Sequence, residues 1–224
     1  MNIVNNVVQN LAGTHFDLLT LGVNAKKYTE KFGFFGSAYW QTGKNTLGQS
    51  KSAYQFSANV DFIPTKNINF ILGTEWLSGT DYNADLTENH SFSPFYGTNH
   101  KFNGYMDYFY VGNHFNSVGL KDFYLKSNFK LNPKAALAVN VHAFSSNAKL
   151  GFDVINNKDY ANYLGTEADL VFTYRIAPIF TMQFGHSQMF AADGMKYLKN
   201  VADPVSMQSW TWIGLNFKSQ FKIK

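Results

Sequence analysis

The chain has 224 residues, 45% of them hydrophobic and 17% aromatic but only 15% charged, with a net charge of +4 and no cysteine. Aromatic content this high excludes a disordered tail, and the lack of cysteine excludes a disulfide scaffold and any thiolate metal site. No apolar run reaches the roughly 18 residues of a membrane-spanning helix, and scattered lysines with Arg175 as the single arginine do not make the clustered basic footprint of a nucleic-acid reader, so no nucleic-acid partner is expected.

Period-two alternation of apolar and polar residues governs the chain from its first third onward. Weak alternation over 15–26 and 31–42 predicts two strands. Tyr54, Phe56, Ala58, Val60 and Phe62 then alternate with Gln55, Ser57, Asn59 and Asp61, and 67–78 predicts a fourth strand. Phe123, Leu125, Ser127, Phe129 and Leu131 alternate with Asp122, Tyr124, Lys126, Asn128 and Lys130. Leu137, Val139, Val141 and Ala143 follow against Ala138, Asn140 and His142. Ala168, Leu170, Phe172, Tyr174 and Ile176 stand against Glu167, Asp169, Thr173 and Arg175. Residues 180–191 predict the eighth strand, and Thr211, Ile213, Leu215 and Phe217 against Trp212, Gly214, Asn216 and Lys218 predict the ninth. Most of these segments run about 11–13 residues, twice the ordinary globular strand of about 5–6 and close to the 9–11 that a tilted strand needs to cross a bilayer.

The connections are sorted. Short turns are predicted at 27–31, 64–67, 132–134 and 177–178, and longer loops at 43–50, 79–120, 149–165 and 192–208. Short and long in alternation is the connectivity of an up-and-down barrel with turns at one rim and loops at the other. Phe32, Phe34, Trp40, Tyr54, Phe62, Trp76, Phe123, Phe180, Phe190 and Phe217 lie near segment ends, where interfacial girdles sit. The expected fold is therefore all-β, an antiparallel up-and-down transmembrane β-barrel of about nine to ten strands. It forms a single domain over 1–224, with 79–120 as a long loop folding inward at the extracellular side. Nine is an odd count, and the stretch Asn2–Val8 carries no secretory signal. The expectation is that the chain is the C-terminal part of a larger barrel, or that a strand at 2–10 or 105–112 adds to the count.

The stretch Leu72–Asp81 is followed by Ser93-Pro94-Phe95-Tyr96 and by Gly97-Thr98-Asn99-His100-Lys101-Phe102-Asn103-Gly104, with Asp107 close behind. Together with Leu164-Gly165-Thr166-Glu167-Ala168-Asp169-Leu170 and Ser187-Gln188-Met189-Phe190-Ala191, this resembles the alginate-export family of outer-membrane β-barrels in its Bacteroidetes-type form. The likeness covers most of 50–218. It implies location in a bacterial outer membrane and passive passage of an anionic polysaccharide or of small polar, sugar-derived solutes. The implied partners are outer-membrane lipid, the saccharide solute and the barrel-assembly machinery. The resemblance also implies a barrel with about twice as many strands.

Candidate pore-lining charges on the polar faces are Lys126, Lys130, Arg175, Glu167, Asp169, Asp61 and Glu75, and candidate constriction residues in the loop are Asn99, His100 and Asp107. Adding Asp122 and Lys218, the polar faces carry five acids against four bases. That balance does not make the positive pore an anionic polymer would favour. Asp81, Asn83, Asp85 and Glu88 are spaced like the start of a calcium loop, but Leu86 stands where glycine is needed and Phe92 where the bidentate glutamate belongs. His90, His100 and His114 lie on no regular element. Neither a metal nor a cofactor is expected. Ser187 follows His186, but neighbours on a strand point to opposite faces, so no catalytic residue and no enzyme activity are expected. The alternatives are a soluble β-barrel that binds a ligand and an outer-membrane barrel hydrolase.

Overall fold

The structure, a computed structural model, describes residues 2–9, 15–94, 103–109, 117–200 and 206–218. Its main sheet is an antiparallel meander. The long strands are β1 (Asn2–Gln9), β2 (His15–Tyr28), β3 (Phe32–Lys44), β4 (Ser50–Thr65), β5 (Ile68–Leu77), β7 (Leu120–Lys130), β8 (Ala135–Ser145), β11 (Tyr163–Ala177), β12 (Phe180–Ala191) and β13 (Met207–Phe217). Each pairs with its neighbour in that order. The two-residue β6 (Glu88–Asn89) adds to β4, and β9 (Phe152–Asp153) pairs with β10 (Lys158–Asp159). This is the all-β up-and-down architecture expected of a barrel. The strand beyond the predicted nine is β1, in the 2–10 stretch; its Val and Asn residues do not alternate cleanly, so periodicity alone passes over it.

A second departure is the helix α1 (Asp193–Lys199), which lies inside the loop predicted over 192–208. Asp193 opens it and Lys196 and Lys199 close it, charges that suit the helix dipole. Asn200 ends it in the left-handed conformation. Seven residues are too few for a periodic signal, and the helix is held by the packing of Gly194 and Met195 rather than by propensity.

The connections sort as predicted. Turns at 29–31, 66–67, 131–134 and 178–179 lie at one rim, and the connections at 45–49, 78–119, 146–162 and 192–206 lie at the other.

Burial is inverted relative to a soluble protein. The polar face of the sheet is enclosed: Gln41 and Glu167 are fully buried, and Ser37, Gln55, Asn140 and Ser187 are nearly so. The apolar face is the outside. Leu72, Phe123, Leu125, Val141, Leu170, Phe184, Ile213 and Leu215 are exposed along it, as are most of the expected girdle aromatics. At the turn rim those rings stack across strands, Phe32 on Phe62 at 5.2 Å and Phe180 on Phe217 at 4.3 Å. Towards the loop rim Trp76 meets Phe56 and Phe123 edge-on. Phe180 to Phe190 on β12 spans about 33 Å of strand at about 3.3 Å per residue, or about 25 Å of height at the ~40° tilt of a membrane barrel. That is the height of a lipid-facing band.

Enclosed glycines are covered by rings from the adjacent strand. Tyr39 lies against Gly22, Tyr124 against Gly73 and Trp212 against Gly185, each where a Cβ would collide with the ring. Such pairs restore the packing and register that a bare glycine gives up.

Candidate functional site

The enclosed face is polar along most of its length, but at the loop rim it turns apolar. Leu77, Leu120, Phe144, Leu164 and Met189 from the wall pack with Phe92, Phe109, Leu150 and Met195 from the loops and α1. Phe109 contacts Phe144 with ring centroids 4.6 Å apart. The sequence reading takes the polar faces as polar throughout and misses this plug, because its members come from separated loops and meet only in three dimensions.

Two loop pieces are tied into the wall. Residues 89–93 are clamped to β3 and β4. Gln41 Nε2 donates to the Ser93 carbonyl at 2.7 Å and Gln41 Oε1 accepts the Ser93 N–H at 2.9 Å. Lys51 Nζ donates to Asn89 Oδ1 at 2.8 Å, to Ser93 Oγ at 3.2 Å and to the Ser91 carbonyl. The buried ammonium is thereby solvated by loop oxygens in place of water. The second piece, 103–109, crosses towards β5, β7 and β11. Asn103 Nδ2 donates to Glu75 Oε2 at 3.1 Å and to Asp122 Oδ2 at 3.2 Å, bridging two carboxylates from adjacent strands. The Met106 N–H donates to Glu167 Oε1 at 2.9 Å. Gly104 sits at φ +79°, and a Cβ there would run into the Glu167 carboxylate, so this close approach requires glycine. From α1, Lys199 Nζ donates to the Tyr108 carbonyl at 3.1 Å, and burial pushes that ammonium below the ordinary lysine range.

Beneath 103–109 lies an acidic belt. Asp122 is fully buried and accepts from His142 Nδ1 at 2.9 Å, with the imidazole on β8 and the carboxylate on β7. Periodicity places both on the polar face but cannot show that the two strands bring them into contact. Glu75 also accepts from Gln55 Nε2 at 3.2 Å. Glu167 and Asp169, two apart on β11, are buried with their carboxyl groups in hydrogen-bonding reach of one another. Lys126 rests over the Tyr124 ring at 4.6 Å and lines a cavity of about 260 Å³ with Tyr105, Asn140 and His142.

The other candidate residues divide by height. Asp61 is half-buried and accepts from Asn59 Nδ2 at 2.7 Å. Lys130 and Arg175 stand at the turn rim, where with Lys66 and Lys134 they line a mouth of about 540 Å³ that contains no acidic residue. Asp107 is half-buried in the inward segment with φ 57°. Asn99 and His100 lie outside the described residues. In the long loop, Asp85 Oδ1 accepts from the Thr87 backbone and hydroxyl, within its own loop, and Asp81 Oδ1 accepts the Lys149 N–H of the neighbouring 146–162 connection, so both carboxylates are used in holding loops. Among the described residues no three His, Cys, Asp or Glu side chains converge as a metal site would require.

The fold and burial together define a class: an all-β, membrane-type barrel with a polar interior. No protein-family model matches this sequence, and no curated protein does. Among solved structures, the chain is similar to one described as "NanC porin structure in rhombohedral crystal form", at 14% identity over 97% of this chain and 92% of that one, with a TM-score of 0.49. The class rests on strand register and burial, not on that likeness.

Proposed function

We propose that the protein is an outer-membrane channel for the passive passage of small polar solutes. The observation that carries this is the inverted burial: an apolar band about 25 Å tall facing out and a polar, charged face enclosed. A soluble ligand-binding barrel would place its apolar face inward. On this reading the exposed band meets lipid, and the assembly machinery of the outer membrane inserts the barrel. Lys130 and Arg175 gather solute at the turn-rim mouth, and 103–109 narrows the pathway beyond it. No catalytic step belongs to this function.

The geometry favours small, sugar-sized solutes over an anionic polymer. The mouth is basic, but beyond it a polyanion would meet Glu75, Asp122, Glu167 and Asp169 at the level of the inward loop. The test is planar-bilayer recording of the refolded protein. Stepwise conductance is expected, larger when 103–109 is replaced by a short Gly-Ser linker; a barrel that stays silent in both forms overturns the channel reading.

A further inference from the structure

The enclosed face is not covered evenly. Asn140 on β8, Asp169 on β11, Ser187 on β12 and Trp210 on β13 are paired in one row across the sheet. Directly paired residues of adjacent strands share a face, so the Trp210 indole stands on the enclosed side with Ser187. The row passes two residues from Glu167, where the Met106 N–H of the inward segment docks. Asp169 is 2% exposed and Ser187 1%, but Trp210 is 44% exposed. Where the rest of the row is closed, an indole is open. Trp212, one row nearer the turn rim, lies over Gly185, as Tyr39 and Tyr124 lie over their glycines. Trp210 stands opposite Ser187 instead, so the covering of a glycine does not account for it. The two indoles adjoin, with centroids 6.1 Å apart. Towards the turn rim they meet a ladder of polar side chains: Asn216 Nδ2 donates to Gln183 Oε1 at 3.2 Å, and Gln183 Nε2 to Thr173 Oγ1 at 3.3 Å. Thr173 itself lines the basic mouth with Arg175 and Thr181. Mouth, polar ladder and indole pair are thus continuous along β11–β13.

A pyranose ring has an apolar face of C–H groups and a rim of hydroxyls. It is held by a broad aromatic surface with a few polar groups beside it, the pairing that Trp210 and the Gln183 ladder present. We propose that Trp210, flanked by Trp212, is a platform on which the ring of a small neutral sugar stacks in passage, with Gln183 and Asn216 hydrogen-bonding its hydroxyls. This rests on the channel reading and names its solute class. The platform is a single open surface rather than an enclosing pocket, which suits a pore: a solute must bind well enough to enter and weakly enough to leave. The indole faces carry no formal charge, so the gain belongs to the ring face of the solute and not to any charge it carries.

The test is block of the channel current by glucose, with mannitol as the control, an acyclic polyol of similar size that has the hydroxyls but no ring face. In the wild type glucose should block at a several-fold lower concentration than mannitol, and in W210A the two should block alike. A pore that is merely wider would weaken both blocks in proportion, so the ratio reads stacking. Gel mobility before and after heating confirms that the variant folds. Equal block by the two solutes in the wild type, or a ratio that W210A leaves unchanged, overturns the platform while the channel reading stands. A silent bilayer overturns the channel reading instead. The platform then stands or falls on tryptophan fluorescence in detergent: glucose but not mannitol should change the emission of the wild type, and neither should change that of W210A. A wild-type emission that glucose leaves unchanged, or a change that W210A retains, removes it.

Discussion

The Asp122–His142 contact shows how much a single buried pair carries in this wall. Both side chains are almost fully enclosed, so the carboxylate has given up water and, among the described residues, has the side-chain donors His142 and Asn103 in return. H142A is expected to cost about 3 kcal/mol, because it leaves a buried carboxylate short of its main partner; denaturant titration in micelles reads this. N103A should cost less, as it removes one donor shared between Glu75 and Asp122. Neither pairing is legible in the one-dimensional pattern. The sequence places Asp122 and His142 on polar faces by parity, but it cannot show that Asp122 lies beside Phe144 and Tyr124 beside His142 in the β7–β8 register, close enough for the imidazole to reach the neighbouring carboxylate.

The long loop and the lipid-facing strands respond to different physics. Gly104 is pinned by its positive φ and by the Glu167 carboxylate in front of it, so G104A should push 103–109 off the wall. Its expected outcome is larger single-channel conductance and faster protease nicking of that loop, with the strands intact. On β7, Leu125 lies midway along the strand opposite Leu72, whereas Phe129 is one residue from the turn end, opposite Ile68. Charge on a lipid face costs most at mid-depth. Leu125→Lys should therefore destabilise the barrel by about 2–4 kcal/mol and Phe129→Lys by only about 0–1 kcal/mol. Equal costs would show that the band has no depth, as on a soluble surface. The long strands are legible in the sequence because a period of two, sustained over so many residues, is what a strand with two unlike faces produces and a helix does not. Helix α1 and strand β1 are not, since one is too short and the other too irregular for periodicity to register.

At the scale of the whole molecule, three zones follow one another on the enclosed face: a basic mouth at the turn rim, an acidic belt, and an apolar plug at the loop rim. The zoning explains why a tally of polar-face charges comes out nearly balanced although the mouth is basic and the belt predominantly acidic. If it orders the pathway, K130A with R175A should slow solute entry without changing ion preference, whereas charge changes in the belt should alter preference. Measured in the same bilayers, the two effects should separate; a shift in preference from the mouth variants would show that the zones act as one field.

The sequence by itself determined nine of the ten long strands, their alternating connections and the identity of the two faces, because each is a local property of period and turn chemistry. It could also name the charges on the polar face. Only the tertiary structure decided which face is enclosed, since an alternating strand reads the same in a soluble barrel and a membrane barrel. It alone decided that Asn103, Gly104 and Met106 reach carboxylates on three strands, and that the loop rim closes over an apolar core. Those are relations between residues far apart in the chain, set by how the sheet curls and where the loop folds, and no local pattern encodes them.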